Sequence, residues 1–352
     1  MTEMSDSVLM TRPRAEIGRL GSRALMFCSV GLLGMVVGLL TSRDTFLQSY
    51  LIGFIFWMGL TMGSLAVLMV HHLSGGAWGM AGRRVWEASA KNFPLMVVLF
   101  IPIALNLPSL YIWARPEAAA DPVIASKAAY LNRNGFYLRS VVFFAIWIGL
   151  TFLLTRWSRE QDENPPLLPG PRDRRSRVLS GPGLVLYVLT VTFMSVDWVM
   201  SLDPHWYSTI FGILMLGGQG LSTMAFTILV LALLVKFQPM SDVASAENFH
   251  DLGKLMFAFV LPFLLLLSRD WKRNPKTVSR IAIVILVMRI VDLTWTIGPV
   301  FRTGSSISWV DFAVAAGIGG VWLTLFFRNL AGRALVPAHD PYFKDALAHG
   351  GH

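Results

Sequence analysis

Apolar runs of about twenty residues recur along this chain, separated by short stretches that are charged or rich in Gly and Pro. A helix of that length crosses the roughly 30 Å hydrocarbon core of a bilayer. The pattern predicts about nine segments, at 23–42, 48–72, 93–113, 136–156, 181–201, 207–235, 251–268, 278–299 and 308–327. The fold class is therefore all-α, a polytopic transmembrane helical bundle. Residues 1–22 form a polar N-terminal tail and 23–156 a first transmembrane half. A charged, proline-rich loop at 157–180 (Pro165, Pro166, Pro169, Pro171) leads into a second half at 181–327, and 328–352 form a C-terminal tail.

Within this pattern, Gly34/Gly38 and Gly59/Gly63 recur every four residues on the first two segments. That spacing lets helices approach closely, although glycine is also ordinary filler in membrane helices. Ser74-Gly75-Gly76 breaks the second segment ahead of a short amphipathic piece, Arg83 to Lys91. The seventh segment is the weak one. Its apolar run, Leu255 to Leu267, reaches only roughly 20 Å as a helix and has Pro262 in its middle. Nine plain crossings also put Arg269, Lys272, Arg273, Lys276 and Arg280 on the opposite side from the other basic loops. One more crossing near Val260–Pro262, or a re-entrant segment at 251–268, returns them to the basic side. With the N-terminus inside, that side is the cytoplasmic one.

Composition agrees with the periodicity: 54% of residues are hydrophobic and 14% charged, with mean hydropathy +0.57. The net charge of +9 resides in short loops between apolar runs, which is the positive-inside pattern and not a nucleic-acid face. Cys28 is the only cysteine, so disulfides, cysteine-ligated iron–sulfur clusters and covalent c-type haem are excluded for this chain alone. The Arg-containing start and the absence of a small-residue cleavage site predict a retained first span.

Intramembrane charge supplies the candidate chemistry. Asp197 lies in an apolar segment that runs on through Pro204 into the turn His205-Trp206-Tyr207. An acid at that depth normally faces a bundle interior or a wet cavity, and Trp206 and Tyr207 suit the headgroup level. Asp197 shares a helical stripe with Thr190, Met194 and Ser201, and the next segment offers Gln219, Thr223 and Thr227. Such stripes line either helix contacts or water chains, so Asp197 is a proton relay or a structural bond to a neighbouring helix. His71 and His72 close the second segment; adjacent helical positions point about 100° apart, so the two cannot ligate one metal from one face. Interfacial hydrogen bonding and proton entry are both open to them. Arg289 and Asp292, three apart mid-span, are either proton-path candidates or an internal ion pair that neutralises itself. His250, Asp251 and Lys254 cluster at a helix start, where they either gate an inner half-channel or are solvated at the interface.

Several motifs resemble one family. They are His71-His72-Leu73-Ser74-Gly75-Gly76-Ala77-Trp78-Gly79, the run Val196-Asp197-Trp198 through Ser208, His250-Asp251-Leu252-Gly253-Lys254-Leu255, and Pro262 through Ser268-Arg269-Asp270. Over roughly residues 20–330 the chain is similar to the F subunit of bacterial alternative complex III, within the NrfD-type, polysulfide-reductase-like membrane family. The resemblance implies ten helices in two four-helix bundles with a peripheral helix at each end. It implies a bacterial inner-membrane protein that binds no cofactor itself. Quinol, haem c and iron–sulfur clusters would then belong to partner subunits, one of them a paralogous NrfD-like chain. The chain departs from the family between the His-Asp-Leu-Gly motif and the Pro-Phe-Leu run, where relatives have a further loop and parts of two helices.

Three functions follow as expectations. The first is a subunit of a quinol-oxidising respiratory complex that supports assembly and proton movement, without being catalytic alone. The second is a stand-alone secondary transporter, which would call for inverted repeats with broken midplane helices; no repeat is evident. The third is an inert membrane anchor, which Asp197 in closed packing would favour.

Overall fold

The computed structural model describes residues 14–76, 78–163, 171–235, 237, 240, 249, 251–253, 274–302 and 307–337. Among them the chain is helical, with no strand, and eight helical spans are long and apolar enough to cross a membrane. The weak seventh segment lies almost wholly outside the described residues, as do the Val260–Pro262 junction and Arg269 to Arg273. So do both tail ends and the central part of the proline-rich loop.

Helix α1 (Arg14–Thr41) leads into α2 (Arg43–Ser74) through Ser42, whose side chain caps the new helix at the Thr45 amide. α2 is the centre of the bundle. Its membrane window is 83% buried, the most of any span, and it touches nearly every other long helix. It stops where Gly75 and Gly76 take φ of 63° and 83°, a left-handed geometry that glycine adopts without a Cβ clash. α3 (Arg83–Ala90) then turns at Lys91–Asn92 into α4 (Phe93–Leu105), and together they make the third span. The Asn92 amide donates to the Trp322 carbonyl at 3.0 Å and fixes that turn.

A cap of short helices, including α5 (Leu107–Leu110) and α6 (Pro122–Ser126), covers one end of the bundle. α7 (Arg133–Glu163) rises roughly 46 Å for its 31 residues, well beyond a 30 Å core. It is followed by α8 (Pro171–Trp198), α9 (Phe211–Leu234), α10 (Pro275–Phe301) and α11 (Trp309–Ala331). A capping box between Ser308 and Asp311 starts α11.

Glycines set the closest packing. A Cβ on Gly31 would lie 2.4 Å from the Gly317 amide nitrogen, so α1 and α11 meet backbone to backbone. On α2, a Cβ on Gly63 would meet Thr223 Oγ1 at 2.3 Å. The four-residue glycine spacing therefore marks real helix contacts, of Gly34 with Ala313, Gly38 with Val310 and Gly63 with α9. Exposed Leu25, Phe27, Leu40, Phe152, Val185 and Val287 leave an apolar outer surface, as lipid requires.

Contacts fix the relative direction of each helix. Arg302, just after α10, bonds to Gln48 and Ser49 near the start of α2 and to Asp311 near the start of α11. Arg289, midway along α10, packs on Gly218 of α9. α10 thus runs antiparallel to α9 and begins at the end of the bundle where α9 finishes. Lys276 and Arg280 share that end with Arg83, Arg84, Arg156 and Arg333, so the charge-inverted topology of nine plain crossings does not hold.

Candidate functional site

Asp197 sits at the last turn of α8 with no solvent exposure. Arg139, on the second turn of α7, donates through Nε to one carboxylate oxygen at 2.7 Å and through Nη2 to the other at 3.0 Å. The guanidinium is 22% exposed and lies 3.9 Å from the ring centre of Tyr130. Around the pair, Tyr111 donates to the Trp198 carbonyl, Trp113 to Ser201, and Trp198 to Ser140. Burial, and then the Asp197 carboxylate, push the Tyr130 and Tyr111 phenols above the usual tyrosine range; Arg139 opposes this at Tyr130. Asp197 is therefore a charge-balanced bond between neighbouring helices.

The second polar site occupies the opposite end, and the sequence reading did not foresee it. Every residue of α3 is buried, including Arg83, Arg84 and Glu87. The short amphipathic piece expected here is thus a helix, with its polar side covered as well as its apolar one. Its charges turn inward because partners wait there. Glu87 accepts from Arg83 Nε at 3.1 Å, Arg84 Nη1 at 2.8 Å, Arg333 Nη1 at 2.8 Å and Ser158 Oγ at 2.6 Å. Asp162 accepts from Arg84 and Arg333. α3, α7 and the chain after α11 are thus tied into one ionic knot.

His71 and His72 adjoin this knot. His71 is 4% exposed and packs edge-on to Trp78 and Trp86, and Arg83 and Glu87 are electrostatic neighbours of both imidazoles. His71 Nδ1 and His72 Nε2 are buried without a hydrogen-bond partner among the described residues. The expected hydrogen bonding beside the Gly-Gly break is thus not seen at these atoms; instead Gly79 presses against His71 Nδ1.

Between the two sites run Thr190 (bonded to Trp147), Tyr187 (donating to Gln219 at 2.5 Å), Thr223, and Thr227 (bonded to Trp86). Gln219, Thr223 and Thr227 are all buried, and Thr223 Oγ1 has no partner among the described residues. The two predicted stripes do not face each other: Thr190 and Asp197 bond to Trp147 and Arg139 of α7, Gln219 and Thr223 lie against Gly63 of α2, and Tyr187, outside the predicted stripe, joins α8 to α9.

Arg289 and Asp292 pair as their spacing predicts. Arg289 turns inward over Gly218, while Asp292 stays 55% exposed on the outer face of α10. Asp251 belongs to a short helical stretch and is half-buried, but His250 and Lys254 lie outside the described residues, and with them the clustered gate. Among the described residues no three His, Cys, Asp or Glu side chains group as a metal site requires.

The chain is a multi-pass membrane helical protein. No family model and no curated protein matches it.

Proposed function

We propose that this chain is a membrane subunit of a quinol-oxidising respiratory complex of the alternative complex III type. It holds no redox cofactor of its own and supports assembly and proton movement. The motif resemblance suggests the complex. One observation supports the proton role: buried polar side chains (Thr190, Tyr187, Gln219, Thr223, Thr227) lie between the Asp197–Arg139 pair and the His71/His72–Glu87 region. In this reading haem c, iron–sulfur and paralogous membrane subunits are the partners, and the basic end of the bundle faces the cytoplasm of a bacterial inner membrane.

Protons would exchange along hydroxyl and amide groups, with small rotations joining Tyr187 and Gln219 to Thr223. Asp197 joins only when its bond to Arg139 opens. Tyr187→Phe and Gln219→Leu interrupt the line without touching an ion pair. The expected result in vesicles is normal complex yield and quinol oxidation with reduced proton release. Unchanged proton release from an assembled double variant would overturn the proton role.

A second reading, an anchor without proton traffic, is favoured by the full burial and bidentate pairing of Asp197.

A further inference from the structure

A groove of about 540 Å³ opens between the α3–α4 turn and α7, beside the Glu87 knot but lined by none of its side chains. Lys91, Arg156 and Arg159 line its mouth, and Phe93, Pro94, Ile148 and Phe152 line its apolar length. From Ile148 to Arg159 the α7 wall rises roughly 16 Å, close to the depth of one bilayer leaflet. The charges are at the end of the bundle that carries the basic loops; the apolar wall reaches toward mid-membrane.

Two observations point to a ligand. Lys91 and Arg159 form no ion pair among the described residues, whereas Arg156 is paired with Glu160 at 3.0 Å; Arg333, Arg159 and Arg84 all repel Lys91, with Glu87 opposing. Thr151, 5% exposed, lines the groove and carries a buried hydroxyl with no partner among the described residues. Neighbouring Thr155 does not relieve it, because its hydroxyl is turned onto the Thr151 carbonyl. A cationic mouth, a lone buried donor below it and an apolar trough deeper still match, in order, a phosphate, a glycerol ester and an acyl chain.

We propose that this groove is a binding site for an anionic phospholipid. The phosphate is held by Lys91, Arg156 and Arg159, an ester oxygen accepts from Thr151, and one acyl chain lies over Phe152 and Ile148. Basic pockets between membrane helices on the cytoplasmic side hold acidic headgroups in this way. Such a lipid would also brace the α3–α4 turn, next to the Glu87 knot.

The test uses the full chain in neutral detergent, titrated with phosphatidylglycerol, phosphatidylcholine or inorganic phosphate, with retained lipid read by native mass spectrometry. The wild type should retain phosphatidylglycerol at least tenfold better than phosphatidylcholine, with phosphate unable to displace it. At roughly fivefold per basic residue, Lys91→Gln with Arg159→Gln should weaken retention about 25-fold. Thr151→Val should weaken it by a smaller factor, and Lys276→Gln on α10 should leave it unchanged. Equal retention of the two lipids by the wild type overturns the proposal even if the variants do not fold. Undiminished retention by a folded double variant overturns it too. Full displacement by phosphate would mean a free-anion site and also contradict the lipid assignment.

Discussion

Replacing Asp197 with Asn removes the only charge shown to balance Arg139 and leaves a guanidinium inside the bundle. Breaking one partner of a buried pair costs about 3–5 kcal/mol, whereas replacing both with apolar side chains of similar size is often neutral. Asp197→Asn should therefore lower thermal stability and complex yield, while Asp197→Leu with Arg139→Met recovers much of the loss. If the single variant is as stable as the wild type, the pair is not structural. Tyr130 and Tyr111 add a pH signature. Because their folded phenols titrate above the ordinary value, the stability they lend is complete below about pH 10 and is lost as pH rises beyond it. Absorbance titration near 295 nm should show late-ionising tyrosine, and Asp197→Leu with Arg139→Met should shift part of it. Asp197 was legible in the sequence as a costly intramembrane charge. Arg139 was not, because it lies 58 positions away near a helix start, where it reads as one more basic residue at a loop edge. Glu87 was missed for a related reason: Arg83, Arg84 and Glu87 resemble a solvated turn until Ser158, Asp162 and Arg333 come from distant segments to meet them.

At the scale of elements, hydropathy located the described spans well, because a bilayer imposes length and apolarity on each helix separately. The same signal could not rank them. α2 is as apolar as its neighbours, yet it is the central post; which faces meet is decided by close packing at contact glycines, which α1, α2 and α11 all carry. Two substitutions test that account. Gly31→Ala on α1 must push the Gly317 backbone away and should cost about 1–3 kcal/mol. Gly149→Ala on α7 meets nothing within 4 Å and should be neutral or stabilising by about 0.5–1 kcal/mol, as expected for removing glycine from a helix. Thermal unfolding in detergent compares them; equal effects would contradict the close α1–α11 contact.

At the scale of the whole molecule, the direction of α10 puts Lys276 at the same end as Arg174, whatever path residues 236–273 take. The charge pattern had required this, since basic loops gather on one side of a membrane. In a Cys28→Ala background, cysteines at Arg174 and Lys276 should resist a membrane-impermeant reagent in intact cells, while one at exposed Tyr207 should label. Labelling of Arg174 and Lys276 on opposite sides would break the topology.

The proposed role makes its strongest demand on the company this chain keeps. The most direct measurement is mild-detergent purification through an affinity tag on the full chain, followed by haem spectra, iron analysis and quinol oxidation by the eluate. The account predicts a multi-subunit complex with c-type haem and iron–sulfur clusters that oxidises quinol, with the chain itself retaining none of these when separated. Isolation of this chain alone, or with partners lacking haem and iron–sulfur clusters, would contradict it.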